Sequence, residues 1–274
     1  MTISEYQQSE ASLFIDTHVH IYKEYDLNIF FDAAIDRFRF EAQKIGLTTN
    51  IDGCLMLAET SYEHFFRKLK NPQDRPPLDP RFSIEYTEEA CSIYIKREDG
   101  ARLILIAGRQ LNTKEGLEVL ALGSDQEFSN DLSIACAIQE IATSEALAVV
   151  PWGVGKWWSK RGALLRSLFI EKTNYQWFIG DNAARPRISL TSRLFMVAKL
   201  NNVRVLPGTD SLPLRRHQTV AGGYGFVIQN LVDERRPMQS IKQWLIDNDR
   251  DPFVFGKRRS WWDLIICQIA LRLK

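Results

Sequence analysis

Short apolar runs bounded by turn residues alternate along this chain with longer stretches whose apolar residues recur at helical spacing, and few folds accept such a pattern. A strand followed by a helix and another strand is the repeating unit of a parallel sheet covered by helices. Leu13 to Ile21, Asp52 to Ala58, Ala146 to Gly153, Gln176 to Gly180 and Val203 to Pro207 read as strands. Asp26 to Ile45, Ser61 to Leu69, Asp131 to Ala142, Lys160 to Glu171, Leu190 to Leu200, part of Ile228 to Asp247 and Trp261 to Leu273 read as helices. Ser61 is placed as a helix cap, Pro237 as an interruption, and Ser260 with Asp263 as a capping box. One region departs from the pattern. After Pro72, Pro76, Pro77 and Pro80 the period becomes that of strands, with Cys91 to Arg97 and Arg102 to Ala107 flanking the hairpin signal Asp99-Gly100 and Leu117 to Leu122 following.

A length of 274 residues matches the roughly 250 that one eight-stranded α/β barrel requires, and an apolar fraction of 45% can fill such a core. The expectation is therefore one domain over residues 1–274, an α/β barrel of the TIM type, distorted or incomplete because fewer than eight strands are clear. An antiparallel β-hairpin insertion is expected around residues 81–122. The formal net charge of +1 gives no electrostatic reason to expect nucleic acid or an anionic membrane, so the expected partner is a small-molecule substrate alone. Cys54, Cys91, Cys136 and Cys267 are scattered without a C-x-x-C pair, which points to reduced thiols rather than a disulfide or zinc framework. Residues 1–12 lack the basic and apolar blocks of a signal peptide and no run reaches membrane-span length, so a cytoplasmic location is the default expectation.

The chemistry concentrates in Phe14-Ile15-Asp16-Thr17-His18-Val19-His20-Ile21. On a regular strand Asp16, His18 and His20 share one face, where burying three polar groups is costly unless something pairs with them. A divalent metal is an economical partner, because His-x-His at a strand end presents two nitrogens to one point. Two strand-end loops add polar groups: Lys156, in a glycine- and tryptophan-rich stretch, and the run Gly180-Asp181-Asn182-Ala183-Ala184-Arg185. Lys156 suits either an anionic group or, if carboxylated, a metal bridge; Arg185 and Asn182 suit substrate binding. Gly222-Gly223-Tyr224-Gly225 offers backbone approach to a ligand, and Trp261, Trp262, Leu264, Ile265, Ile266 and Ile269 suggest a docked terminal helix.

The first segment resembles the D-x-H-x-H signature on the first strand of the amidohydrolase superfamily and of the polymerase-and-histidinol-phosphatase family. Gly208-Thr209-Asp210 resembles the last-strand G-[ST]-D of those enzymes. The resemblance implies a metal-dependent hydrolase in which barrel closure brings Asp210 beside His18 and His20. Asp181 replaces a missing ligand, and the ion is zinc, with manganese or iron as alternatives. Asp210 then serves as ligand and proton acceptor while metal-activated water attacks a carbonyl or phosphoryl centre of an amide, lactone or phosphate ester. The chain departs from the pattern elsewhere: only His64 and His217 remain for the middle strands, and Gln110 stands where the phosphatase-like family presents a metal-binding Glu. These departures leave a phosphoesterase, or a barrel turned binding scaffold, as the alternatives.

Overall fold

The computed structural model describes residues 12–47, 51–171, 173–186, 192–229, 233–248, 251–258 and 260–272. The N-terminal segment read as lacking a leader and the start of the helix read from Leu190 lie outside them. Strands β1 (Ser12–Val19), β2 (Ile51–Leu57), β3 (Phe82–Tyr86), β4 (Ser92–Arg97), β5 (Arg102–Ile106), β11 (Tyr224–Gln229) and β12 (Phe253–Gly256) form one sheet, in the order β12-β11-β1-β2-β5-β4-β3. Strands β6 (Gly108–Asn112), β7 (Glu118–Leu122), β8 (Leu147–Pro151), β9 (Phe178–Asn182) and β10 (Val205–Gly208) form a second, in the order β10-β9-β8-β7-β6. Only β1 with β2, β2 with β5, β8 with β9 and β9 with β10 pair in parallel; the other neighbours are antiparallel.

This corrects the expected TIM-type barrel: the described residues form two mixed sheets and no closed barrel. Apolar periodicity reports which face of a strand is buried, and two mixed sheets enclosing a core satisfy it as well as a regular barrel. The antiparallel stretch expected around residues 81–122 is divided, β3 to β5 extending the first sheet and β6 with β7 the second.

The sheets enclose a core in which Leu13, Ile15, Met56, Ile104 and Ile106 face Leu120, Leu122, Val149, Phe178 and Leu206. Helix α1 (Leu27–Lys44) lies outside the first sheet: Asp26 caps it by accepting from the amides of Asn28 and Ile29 at 2.9 and 3.3 Å, and Phe30, Phe31, Ala34, Ile35 and Phe38 line its buried face. Helix α2 (Phe65–Lys70) starts after His64 rather than at the expected Ser61 cap. Helices α3 (Ile134–Thr143), α4 (Ser159–Ile170) and α5 (Ser192–Leu200) cover the second sheet. Helix α6 (Pro237–Asp247) adds Met238, Ile241 and Leu245 to the core between the sheets, and Pro237 begins it rather than interrupting it, as suits a residue without an amide hydrogen.

Helix α7 (Trp261–Arg272) opens on the expected capping box, Ser260 and Asp263 exchanging hydrogen bonds of 2.8 to 3.2 Å. It meets the rest of the molecule through buried Cys267, whose sulfur lies 3.4 Å from His217, and it leaves Trp262, Ile265, Ile266 and Ile269 exposed. No helix among the described residues is long and apolar enough to cross a membrane.

Candidate metal centre

The two sheets touch where the end of β1 meets the end of β10. The Thr17 hydroxyl donates to the Pro207 carbonyl at 3.0 Å, and the Asp210 amide donates to the His18 carbonyl at 2.8 Å. Gly208 permits the approach, since a Cβ there would stand 2.5 Å from the His18 nitrogen. Asp210 itself has a positive φ of 52°, which turns its side chain back along β1.

Strand alternation is broken inside the motif. Leu13 and Ile15 face the core between the sheets and Phe14 the outer core, but the pairing of β1 with β2 shifts register between Asp16 and Val19. Beyond the shift Val19 and Ile21 belong to the outer core, and His18 and His20 turn inward. Asp16 therefore does not join the histidines as regular alternation requires. It accepts from the amides of Thr209 and Gly222 at 2.8 and 2.9 Å and from the Thr209 hydroxyl, locking β1 to the loops after β10. Burial pushes its carboxyl up to about 6, against the pull of those donors.

His18, His20 and Asp210 converge. The two Nε2 atoms lie 3.1 Å apart, and Asp210 Oδ1 lies 3.6 and 3.8 Å from them. Donor atoms around one tetrahedral ion at about 2.0–2.1 Å lie roughly 3.3 Å from one another, so these separations match a shared cation. Burial holds both imidazoles neutral, His18 down to about 4 and His20 to about 3. Two neutral imidazoles facing each other with a carboxylate alongside form a donor set for a divalent transition metal, and the residues present fit one.

The groups around this set come from neighbouring strand ends. Asn182 donates to Asp210 Oδ2 and to the Trp152 carbonyl, both at 2.7 Å, fixing the carboxylate. The Gln110 side chain hydrogen-bonds His18, and Lys156, ion-paired to Glu118, lies with it in the field of the same imidazole. Lys156 is thus near the centre, with Glu118 as its partner. Sequence reasoning missed Glu118; its signal was its inward register on β7, shared with Leu120 and Leu122.

Asp181 and Arg185 are placed elsewhere. On β9 Phe178 faces inward and Ile179 outward, so Asn182 reaches the centre and Asp181 points away. Asp181 is bound by Arg185 at 2.6 and 2.8 Å and by the Tyr224 hydroxyl at 2.9 Å, a closed buried cluster rather than a ligand and a substrate clamp. Tyr224 and Gly225 lie on β11, and the Gly222 amide serves Asp16, so the glycine-rich run is structural. His64 lies 3.3 Å from Arg109, and His217 accepts from the Leu212 amide at 3.2 Å; neither joins the centre.

No protein-family model matches the chain. No curated protein matches it either. Among solved structures it is similar to PsfC from Pseudomonas syringae PB-5123, with 14% identity and a TM-score of 0.54 over 96% of this chain and 99% of that one. It is also similar to the lesion-specific endonuclease PfuEndoQ from Pyrococcus furiosus, with 12% identity and a TM-score of 0.51 over 88% of this chain. The chain spans 57% of that endonuclease's length. A complex of Endonuclease Q with a 27-mer duplex bearing an abasic lesion at its active site aligns with a TM-score of 0.40 and 12% identity, over 84% of this chain and 57% of that one. The expectation that nucleic acid plays no part is corrected: it rested on net charge, which averages a whole surface and is silent about local contacts, and a solved structure of similar fold is a lesion-specific endonuclease. These likenesses show a shared fold, with a member of the set acting as an endonuclease.

Proposed function

We propose that this protein is a metal-dependent hydrolase of phosphoesters, with His18, His20 and Asp210 holding a divalent cation. The observation that carries the reading is the convergence of two buried Nε2 atoms 3.1 Å apart on one carboxylate. A bound divalent cation supplies Lewis acidity and lowers the pKa of water toward neutrality. The protein's own groups do the rest. Asp210 presents Oδ1 toward the imidazoles while Asn182 holds Oδ2, an orientation suited to accepting a proton from the attacking water. Lys156 supplies positive charge near His18 for an anionic reacting group, with Glu118 setting its position. The likeness to a lesion-specific endonuclease supports a phosphodiester as the substrate bond and makes nucleic acid a substrate to test.

The test starts from protein purified without chelator, assayed for bound metal and for hydrolysis of mono- and diester phosphates and of a duplex with an abasic site. The parent is expected to hold metal and to cleave at least one ester. Asp210→Asn keeps an oxygen but loses the charge and basicity, so turnover should fall about 10² to 10⁴-fold with some metal retained. A parent that is free of metal, and whose melting temperature does not move with added manganese or zinc, would instead be a scaffold, since a ligand bound only by the folded state must stabilise it.

A further inference from the structure

Each buried tyrosine among the described residues spends its hydroxyl on a protein acceptor. Tyr25 donates to the Leu212 carbonyl at 2.6 Å, Tyr94 to the Glu234 carbonyl at 2.9 Å and Tyr224 to Asp181 at 2.9 Å. Tyr22, half-buried two residues beyond His20, has no hydrogen-bond partner for its hydroxyl among the described residues. Its ring is nevertheless fixed: it stacks on His20 with centroids 5.5 Å apart and an interplanar angle of 22°, and Tyr25 meets it edge-on at 5.5 Å. Tyr25 is in turn tied to Leu212, two residues past Asp210, so the loop carrying the carboxylate also braces the phenol. A donor held rigidly beside a reaction centre, with its bond left for something else, is the arrangement that stabilises developing charge without reorganisation.

We propose that Tyr22 is the hydrogen-bond donor this centre presents to its substrate, its phenolic O–H meeting a phosphoryl oxygen of the bound ester. The inference rests on the phosphoesterase reading above and adds a residue the sequence motifs do not contain. The role asked of the hydroxyl is donation alone; it serves neither as base nor as nucleophile. No bond is made or broken at the tyrosine; its proton stays on the phenolic oxygen throughout.

The probe is inorganic phosphate, bound to manganese-loaded protein and followed by calorimetry. Tyr22→Phe keeps the ring on His20 and removes only the hydroxyl, so phosphate affinity should fall about 10- to 100-fold, the worth of a hydrogen bond to a charged group. Manganese affinity and melting temperature should stay at the parent's values, which a merely structural tyrosine would also show, but without the loss of phosphate. Tyr22→Phe binding phosphate as tightly as the parent overturns the proposal while leaving the metal centre intact. A parent that binds manganese but no phosphate overturns it as well. A parent that takes up no manganese overturns the reading of the centre and this proposal together.

Discussion

The two sheets meet along two polar seams that are completed in opposite ways. Where β2 meets β6, the Glu59 amide donates to Gly108 at 3.0 Å and the Gln110 amide to Glu59 at 2.9 Å, and buried Arg109 supplies a cation from within the chain. Arg109 pairs with Asp125 at 2.6 Å and Glu59 at 3.5 Å and donates to the Glu63 carbonyl at 2.9 Å. Where β1 meets β10, two neutral imidazoles and a carboxylate gather, and Lys156, a cation near His18, is paired to Glu118. Polar groups at a sheet junction are tolerable when the charges balance. The first seam carries its balance in its own sequence; the second is the one that calls for a cation from outside.

The sharpest way to break this comparison is to remove the internal cation. Arg109→Met removes the cation paired with buried Glu59, while Asp125 keeps Arg67 at 2.7 Å, and should cost about 3–5 kcal/mol in urea unfolding. The double variant with Glu59→Gln should recover part of that loss. Equal losses in the double and the single would mean the seam is not balanced by this pair. A smaller effect is expected from Asn182→Ala, which frees Asp210 Oδ2 without touching a ligand: metal affinity should weaken about 10- to 100-fold in a competition titration. Unchanged affinity would mean that the carboxylate is oriented by something other than Asn182.

The remaining effect is one of sign with pH. Burial holds Glu59 up to about 7 against an ordinary 4.5, so the folded state keeps a proton that the unfolded chain gives up. Stability from that side chain is whole below 4.5 and lost as pH rises through 7. His18 and His20, held at about 4 and 3 against an ordinary 6.5, act oppositely: the unfolded chain takes protons first, so stability is whole above 6.5 and lost as pH falls through 4 and 3. Unfolding curves of the metal-free protein should show the alkaline decline reduced in Glu59→Gln and the acid decline reduced in His18→Gln. Variants whose pH profiles overlay the parent's would show that neither seam titrates as stated.

Much of the site was legible in local sequence. His18 and His20 stand two apart on an apolar strand, and Gly208-Thr209-Asp210 ends another; those patterns alone placed the three groups at strand ends. The misplacements share a cause. Asp16 was grouped with the histidines by regular alternation and Asp181 read as a ligand by its place at a strand end, yet a register shift of one residue in β1 and the plain alternation of β9 put each on the other side. Glu118 carries no motif, and only its neighbours from other elements, Lys156 and His18, mark it.

The sequence by itself determined the alternating strands and helices, the capping box at Ser260, and a pair of histidines whose burial would demand a partner, because these depend on residues a few positions apart. Only the tertiary structure decided that the strands build two mixed sheets rather than the expected barrel, that Asn182 and not Asp181 meets Asp210, and that Arg185 is spent on Asp181. Periodicity specifies which face of an element is apolar but not which element that face will meet, and pairing across nearly two hundred residues is settled by packing of the whole core.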